Sequence, residues 1–394
     1  MPDRSVDILL IGGGVASAAA ARTLADEGFD GTVLLAAREL DPPYERPPLT
    51  KEYLRGESSK EDAFVETGAA EVLTRTGVMK LDTEAREATL ATKQVVGYDR
   101  ALVATGSMVR RLDADGAGLE GLHYLRAFGN SDAIRRDVAD AEQVVCVGGS
   151  YIACEVAASL TAIGKRVTLV MQEDAPLQRS FGPQVAAAFR RRFDARGIAM
   201  LTGDEVDHFE GAERVERVVT KAGHEIAAQA IILGVGVTPD VMLARAAGLE
   251  LGVSGGIACD AQLRTSAPGV WAAGDVCEYD SLVHGRRLRI EHTEHAAAQG
   301  EHVARAMLGN EDPYAVVPYF FSDLADWLSL EYVGPAAAWD EEVLSGGLDD
   351  DAFGVWYLQD GRVRGALSVG GGLDLDRARG LIASGEPVGA QALR

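Results

Sequence analysis

Ile11-Gly12-Gly13-Gly14 and Val147-Gly148-Gly149-Ser150 are the two stretches that decide the fold of this chain. Each turn follows a short apolar run and precedes a run of small residues that is typical of a helix. A strand, glycine turn and helix in this order direct backbone N–H groups and a helix N-terminus toward a pyrophosphate. Two such turns predict an α/β protein with two Rossmann-like domains, each of which binds a dinucleotide.

The first turn lies in a strand–helix–strand pattern between residues 6 and 37. Gly12 and Gly14 are followed by Ser17, which stands at the third small position of G-x-G-x-x-G and lets the helix approach the strand. Glu39 comes just after the second strand, where an acidic side chain accepts hydrogen bonds from a ribose. The pattern therefore predicts that these four residues bind the first dinucleotide.

The second turn repeats this plan between residues 143 and 171. Ser150 and Ala153 replace two of the expected glycines, and the serine narrows the room for a pyrophosphate. Glu173 follows the second strand after two residues, and its carboxylate would accept from a ribose and repel a 2′-phosphate. No arginine follows it closely in the sequence, so NADH is favoured here and NADPH stays possible.

Composition narrows the class of protein. A net charge of −22 and a pI near 4.7 would repel a nucleic-acid backbone, so nucleic acid is not expected as a partner. No run approaches the roughly 20 apolar residues that span a bilayer, and no signal-peptide pattern comes first, so a cytoplasmic protein without a membrane span is expected. Four widely spaced cysteines indicate neither a zinc site nor a redox dithiol.

Arginine clusters leave two interpretations open. They could form a local basic patch for an acidic protein, or they could lie on solvated helix faces and turns. The clusters are Arg110-Arg111, Arg135-Arg136, Arg190-Arg191-Arg192 and Arg286-Arg287-Arg289.

Three further apolar strands end in small or acidic residues. One ends at Thr105-Gly106, and its counterpart after the second unit is expected to span residues 231–239 and contains Gly236. Each would bring the chain back from one nucleotide-binding domain toward the other. The third ends at Gly274-Asp275, where the acid could bond a flavin's ribityl hydroxyl.

A family resemblance rests on motifs that cover nearly the whole chain in order. These are the run Tyr44-Glu45-Arg46-Pro47-Pro48-Leu49-Thr50-Lys51, the Thr-Gly strand end, the second glycine turn with Glu155 in its helix, and Ala-Gly-Asp near residue 275. The chain resembles the FAD-dependent NAD(P)H reductases of ferredoxins and rubredoxins, a group that includes apoptosis-inducing-factor-like flavoproteins. Arg-Pro-Pro-Leu-Thr-Lys is the most specific motif, because relatives with a redox disulfide carry C-x4-C there.

The resemblance implies roles for individual residues. Lys51 is expected beside the flavin ring with Glu155 as its partner, and a cation there favours the reduced, anionic ring. Arg46 is expected near the FAD phosphates or ring. Glu291 and His292 precede a helix whose N-terminus would face the pyrimidine edge of the flavin. His292 and His295 also have metal-ligand spacing, but no third ligand is evident, and no metal site is predicted.

The last part of the chain changes character. Four short strands rich in aromatic and β-branched residues are predicted at 318–322, 329–333, 354–358 and 363–370, with a helix near 373–383 after them. These elements resemble the family's α+β C-terminal interface domain. Phe320-Phe321-Ser322-Asp323 is similar to the family motif F-W-S-D, and Phe321 is expected against the benzenoid side of the flavin. The implied domains are an FAD-binding domain at 1–109 and 240–313, an NAD(P)H-binding domain at 110–239 and the interface domain at 314–394.

The resulting hypothesis is an oxidoreductase that accepts hydride from NADH on FAD and passes electrons singly to a ferredoxin- or rubredoxin-like protein. Two alternatives remain, an NADH-sensing flavoprotein with a long-lived charge-transfer complex and redox-linked dimerisation, and an NADH oxidase using oxygen or a quinone. A homodimer is a possible assembly. The predicted catalytic residues are Lys51 and Glu155. The predicted FAD-side residues are Gly12, Gly14, Ser17, Glu39, Arg46, Lys51, Thr105, Gly106, Gly274, Asp275, Glu291, His292 and Phe321. The predicted NAD-side residues are Gly148, Ser150, Tyr151, Ile152, Glu155, Glu173 and Gly236.

Overall fold

The computed structural model describes residues 1–393. Up to residue 109, the elements are β1 (Arg4–Ile11), α1 (Val15–Asp26), β2 (Val33–Ala36), α2 (Glu52–Arg55), β3 (Glu71–Leu73), β4 (Val78–Asp82), β5 (Glu87–Leu90), β6 (Val95–Val103) and β7 (Ser107–Val109). From there to residue 239, they are β8 (Leu122–His123), α3 (Phe128–Ala139), β9 (Gln143–Val147), α4 (Tyr151–Ala162), β10 (Arg166–Met171), α5 (Gln178–Ala195), β11 (Ala199–Thr202), β12 (Val206–Gly211), β13 (Val215–Thr220), β14 (Glu225–Ala227), β15 (Ala230–Leu233) and β16 (Val237–Pro239).

The remaining elements, from residue 242 onward, complete the first Rossmann-like unit and form a separate C-terminal sheet. They are α6 (Met242–Ala246), β17 (Ile257–Cys259), β18 (Val270–Ala272), β19 (Cys277–Ser281), β20 (Arg286–Leu288), α7 (Thr293–Met307), β21 (Tyr319–Leu324), β22 (Leu328–Val333), β23 (Glu341–Ser345), β24 (Phe353–Gln359), β25 (Arg362–Val369) and α8 (Leu375–Ser384). Within residues 1–393, no helix is long and apolar enough to cross a membrane.

The first sheet has the strand order β3-β2-β1-β6-β5-β4, and β18 joins it beside β6. Strands β2, β1, β6 and β18 pair in parallel. Parallel strands place their carboxyl ends at one edge of a sheet, where ligands of such folds bind. This pairing brings the turn after β1 next to the ends of β6 and β18, which are far apart in the sequence.

The second sheet is parallel throughout, with the order β11-β10-β9-β15-β8. Helices α3, α4 and α5 contact it, and the antiparallel strands β12, β13 and β14 form a small sheet of their own. The long strand expected at 231–239 is in fact two strands. After β15 the chain changes sheets, and β16 pairs with β7 in a two-stranded ribbon.

The C-terminal sheet is antiparallel, in the order β21-β22-β25-β24-β23. The sequence predicted four of its strands and its helix, and it missed β23 at the sheet edge. That strand contains Glu341 and Glu342 and lacks an apolar run, so its pattern is weak. With two Rossmann-like units followed by this α+β domain, the predicted fold class is confirmed.

The arginine triplet at 190–192 joins the second unit to the C-terminal domain. Arg191 pairs with Asp349 at 2.5 Å, and Arg192 donates to the carbonyl oxygens of Leu348 and Asp350. Two members of this cluster therefore contact the protein's own backbone and carboxylates. Neither a free basic patch nor a solvated helix face describes these two residues, because both guanidinium groups bond the C-terminal domain.

Candidate active site

A cavity of about 720 Å³ lies at the carboxyl edge of the first sheet and extends to the start of α4. Twelve of the thirteen residues predicted on the FAD side line it. These are Gly12, Gly14, Glu39, Arg46, Lys51, Thr105, Gly106, Gly274, Asp275, Glu291, His292 and Phe321. Ser17 does not line the cavity, because it is fully buried within α1. Its place there agrees with a packing role and not with ligand contact.

Both glycine turns require glycine for the same physical reason. Gly12 has φ +122°, and a Cβ built on it would lie 2.1 Å from the carbonyl oxygen of Ala104. Gly148 has φ +125°, and its Cβ would lie 2.4 Å from the carbonyl oxygen of Gly234. L side chains rarely adopt such backbone angles. The turns thus come close to a neighbouring strand end, and the first of them, Gly12 to Gly14, lines the cavity.

Lys51 and Glu155 form a buried ion pair in the cavity wall. The distance from Lys51 Nζ to Glu155 Oε2 is 2.9 Å, and each side chain is 8% exposed. Thr50 Oγ1 donates to the same oxygen at 2.5 Å, and Ser322 Oγ donates to Oε1 at 2.5 Å. Lys51 Nζ also lies 5.6 Å from the centre of the Phe321 ring. The structure therefore brings together the lysine, the glutamate and the aromatic residue that the motifs predicted.

Two serines hold the backbone that carries Lys51. Ser131 Oγ of α3 donates to the carbonyl oxygen of Leu49 at 3.1 Å, and Ser159 Oγ of α4 donates to that of Thr50 at 2.6 Å. Pro47 opens this short turn with its fixed φ. Lys51 is thus positioned by helices of the second Rossmann-like unit as well as by its own loop. Sequence analysis missed both serines, since single serines inside helices carry no motif.

Glu39 and Arg46, which also line the cavity, pair with each other. Arg46 Nη2 lies 2.5 Å from Glu39 Oε1, and the Tyr44 hydroxyl donates to Glu39 Oε2 at 2.6 Å. Burial opposes the ionised form, but the Arg46 guanidinium and these hydrogen bonds hold the pKa of Glu39 below its usual value. Glu39 is therefore an ionised acceptor in the cavity wall, as ribose binding requires.

Arg126 is a cavity residue that sequence analysis missed. Its Nη2 lies 3.1 Å from Asp275 Oδ2, and its carbonyl oxygen accepts a hydrogen bond from Arg46 Nη1. It precedes α3 in a loop and belongs to no motif that we could identify, so only the folded chain reveals it. Asp275 consequently forms an ion pair with Arg126 in the cavity wall.

His292 and His295 do not act together. His292 is the N-cap residue of α7, lines the cavity and stacks on Phe320 with ring centres 4.3 Å apart. Burial lowers its pKa to about 4, so the ring is neutral at pH 7. His295 lies outside the cavity lining and contacts Tyr314 and Gln299 at 3.2 and 3.3 Å. The N-terminal turn of α7 therefore lines the cavity with His292, Thr293, Glu294 and Ala296.

We expect His295 to make the protein less stable in acid. Burial lowers its pKa to about 3 from an ordinary 6.5, so between these values the unfolded chain binds one more proton at this site. Unfolding free energy should thus fall by about 1.4 kcal/mol for each pH unit below about 6 from this group alone. Denaturant titrations at several pH values should show that the unfolding free energy of His295→Gln depends less steeply on pH than that of the wild type. Parallel curves for the two proteins would contradict the assignment.

The predicted NAD-side residues divide into two groups. Tyr151, Ile152 and Glu155 at the start of α4 line the cavity, whereas the other members lie beyond its lining. Those others follow strands of the second sheet, at its carboxyl edge. They are Gly148, Ser150, Glu173 and Gly236. Helix α4 thus extends from the second glycine turn to the cavity.

The surroundings of Glu173 differ from expectation. A Cβ on Gly149 would lie 2.7 Å from Glu173 Oε2, so this carboxylate is adjacent to the glycine turn as predicted. However, Arg179 of α5 forms an ion pair with Glu173 and remains 73% exposed. The expectation that no arginine is close was wrong, because the chain turns back after β10 and α5 starts beside the strand end. An arginine therefore lies beside the carboxylate that the sequence pattern predicts to bind a ribose.

A model of the pyridine nucleotide-disulphide oxidoreductase family matches residues 6–300, and a reductase C-terminal domain matches residues 319–394. The chain belongs to this family. A ferredoxin reductase subunit of 5,5′-dehydrodivanillate O-demethylase from Sphingobium sp. is 34% identical, with 97% of this chain and 94% of the relative covered. The chloroplastic/mitochondrial monodehydroascorbate reductase of Arabidopsis thaliana is 30% identical over 93% of this chain and 79% of the relative.

A solved structure shows the same architecture along the whole chain. The covalent putidaredoxin reductase–putidaredoxin complex matches with a TM-score of 0.93 at 29% identity, covering 98% of this chain and 95% of that chain. These findings confirm the resemblance to ferredoxin and rubredoxin reductases. As a member of this oxidoreductase family, the chain is an NAD(P)H-dependent enzyme that binds FAD.

Proposed function

We propose that this enzyme accepts hydride from NADH and passes electrons one at a time to a ferredoxin- or rubredoxin-like protein. The observation that carries the proposal is the buried Lys51–Glu155 pair in the wall of a cavity that α4 links to the second glycine turn. Names of relatives and the carrier-bound solved structure support a small redox protein as acceptor.

The cavity residues fit FAD. Gly12, Gly13 and Gly14 line the cavity just before the N-terminus of α1, where a pyrophosphate can bind, and Glu39 and Asp275 are acceptors for hydroxyl groups. FAD, when bound, supplies hydride acceptance and one-electron release. Lys51 supplies a fixed positive charge, and Glu155 compensates that charge in the protein interior. The N-terminus of α7 adds a second positive potential at the cavity wall.

An exit through protein thiols is not supported. Cys146, Cys154, Cys259 and Cys277 are all buried and free, and none lines the cavity. Within residues 1–393, electrons therefore have no dithiol relay next to the site. Direct transfer to a docked carrier is the simpler route.

A redox-sensing role is the second candidate. The His292 ring stacks on Phe320 at the cavity wall, and this contact favours a sensor, since a change in the charge of a bound flavin ring would act on this aromatic pair. His295 gives it no support, because that residue lies outside the cavity lining.

Stopped-flow spectroscopy tests the proposal. The purified protein should contain FAD, lose the visible absorbance of its oxidised flavin on mixing with NADH, and regain it faster with a ferredoxin or rubredoxin than with oxygen or a quinone. Persistence of the reduced form with every carrier tried would favour the sensor, and faster return with oxygen or quinone would favour an oxidase. A protein that does not bind FAD would refute the proposal.

We also propose that NADH is preferred over NADPH, through Glu173. Removal of the Glu173 carboxylate breaks its ion pair with Arg179, which can then reach a 2′-phosphate. Glu173→Ala should therefore raise kcat/KM for NADPH and lower it for NADH. A charged hydrogen bond contributes about 1.5–3 kcal/mol, so each change should be about tenfold. Steady-state kinetics with both nucleotides measures it. Glu205→Ala removes a nearby carboxylate that pairs with Lys221, and it should leave the ratio unchanged. A constant preference in Glu173→Ala would refute this role.

Domain borders and location complete the proposal. We assign 1–109 and 240–313 to an FAD-binding domain, 110–239 to an NAD(P)H-binding domain and 314–394 to an interface domain. The memberships of the three larger sheets support this division. We propose a cytoplasmic protein that works with a diffusible carrier, with a homodimer as a possible assembly.

A further inference from the structure

Ser322 contacts the Lys51–Glu155 pair from the C-terminal sheet. Its Oγ donates to Glu155 Oε1 at 2.5 Å, whereas Lys51 and Thr50 both donate to Oε2. Ser322 is the only side-chain donor to Oε1 within residues 1–393. The Glu155 side chain is 8% exposed, so bulk water would not replace the Ser322 hydroxyl as a donor to Oε1 if that hydroxyl were removed.

Regular strand pairing fixes the position of this hydroxyl. Ser322 lies in the middle of β21, paired with Leu330 of β22, and is 1% exposed. Phe320, two residues earlier on the same face, lines the cavity. A donor held by a sheet loses little conformational freedom when it bonds, unlike a donor on a mobile loop.

We propose that Ser322 is a positioning residue, through which the C-terminal domain orients Glu155 and thereby holds Lys51 beside the flavin. The inference rests on the proposed flavin site. Without this hydroxyl, one carboxylate oxygen of Glu155 is buried without a donor, and the ionised partner of Lys51 is less well stabilised. Glu155 is then less firmly oriented and holds Lys51 less precisely beside the flavin site, so the reduced flavin loses part of its stabilisation.

Thr50 provides an internal comparison. Its single hydroxyl hydrogen can reach the Pro47 carbonyl oxygen at 3.0 Å as well as Glu155. Glu155 Oε2, which Thr50 contacts, also accepts from Lys51 Nζ, so this oxygen keeps a donor when the Thr50 hydroxyl is removed. Loss of the Thr50 hydroxyl should therefore matter less than loss of the Ser322 hydroxyl.

The test uses the full-length protein with bound FAD. For Ser322→Ala we expect a lower flavin midpoint potential and reduction by NADH that is slower by about tenfold, the equivalent of about 1.4 kcal/mol from one charged hydrogen bond. KM for NADH should stay the same. Ser322→Thr, which restores a hydroxyl, should return both values to near wild type. Thr50→Val should shift the potential in the same direction by a smaller amount.

Ser368→Ala is the matched control. Ser368 is also 1% exposed and lies in the same sheet, but its Oγ accepts from the Leu373 N–H at 3.3 Å and has no contact with the ion pair. Its potential should equal that of the wild type. An unchanged potential in Ser322→Ala, or an equal fall in Ser368→Ala, would overturn the proposal.

A folding defect in Ser322→Ala would still leave the role of Ser322 testable. If Ser322→Ala does not fold, Ser322→Cys keeps nearly the same size with a weaker donor and should lower the potential. A wild-type potential in Ser322→Cys then overturns the proposal. The proposed function fails in a different way, because a wild-type protein without FAD has no flavin potential to measure.

Discussion

Lys51→Met should slow reduction of the flavin by NADH about 100-fold, the loss typical of removing one charge-stabilising donor from an enclosed site. The physical reason is that Lys51 is 8% exposed and therefore acts through a poorly screened environment. The flavin midpoint potential should fall in parallel, since the anionic reduced ring loses a nearby cation. Stopped-flow reduction and a dye-coupled potential titration measure the two effects.

The same substitution should also destabilise the protein. It leaves Glu155 as a buried charge without its ion-pair partner, and breaking a buried pair costs about 3–5 kcal/mol. Lys51→Met combined with Glu155→Gln should recover much of this stability while the potential stays low. Denaturant unfolding of the two single variants and the double variant gives the coupling energy.

Lys60→Met is the control for lysine removal. Lys60 also forms an ion pair, with Asp132 at 3.2 Å, but it does not line the cavity. Reduction rate and potential should match the wild type in this variant. A wild-type potential in Lys51→Met itself would show that Lys51 does not act on the flavin.

Gly148→Ala should abolish most reduction by NADH while FAD remains bound. The added Cβ would lie 2.4 Å from the Gly234 carbonyl oxygen, at a φ that alanine rarely adopts, so the turn has to move. A displacement of about 1 Å in a positioning element costs about 100-fold in rate. Single-turnover reduction at increasing NADH should therefore show this loss, with a normal flavin spectrum before mixing.

Two other glycines separate this effect from general damage. Gly12→Ala disturbs the equivalent turn of the first unit and should instead prevent FAD binding. Gly129→Ala lies in α3 with no heavy atom within 4 Å of its Cβ, and it should keep wild-type reduction. Rapid reduction of Gly148→Ala would contradict the assignment of the second turn to the nicotinamide nucleotide.

The local patterns of the sequence were sufficient for the elements near the glycine turns. The patterns predict strands at 6–11, 143–147 and 167–171. Strand β9 has the predicted bounds, and β1 and β10 begin only two and one residues earlier than predicted. Apolar runs that end in glycine turns are strong signals, because a buried parallel strand and a positive φ each allow few residue types. The edge strand β23 lacks both signals, and it was missed.

Contacts between distant segments could not be predicted in this way. Arg126 with Asp275, Arg179 with Glu173, and Ser322 with Glu155 each join residues from different elements. A single arginine or serine has no periodicity and no local spacing that distinguishes it from a surface residue. The absence of an arginine shortly after Glu173 in the sequence was misleading for this reason.

By itself, the sequence determined that this chain has two nucleotide-binding units, an FAD-type motif with Lys51, and a distinct C-terminal domain. These features depend on neighbouring residues, whose backbone angles and burial follow local rules. Only the tertiary structure decided which donors surround Glu155, and that His292 lines the cavity while His295 does not. Such contacts depend on how the three larger sheets and their helices pack together, and this packing involves residues from all parts of the chain.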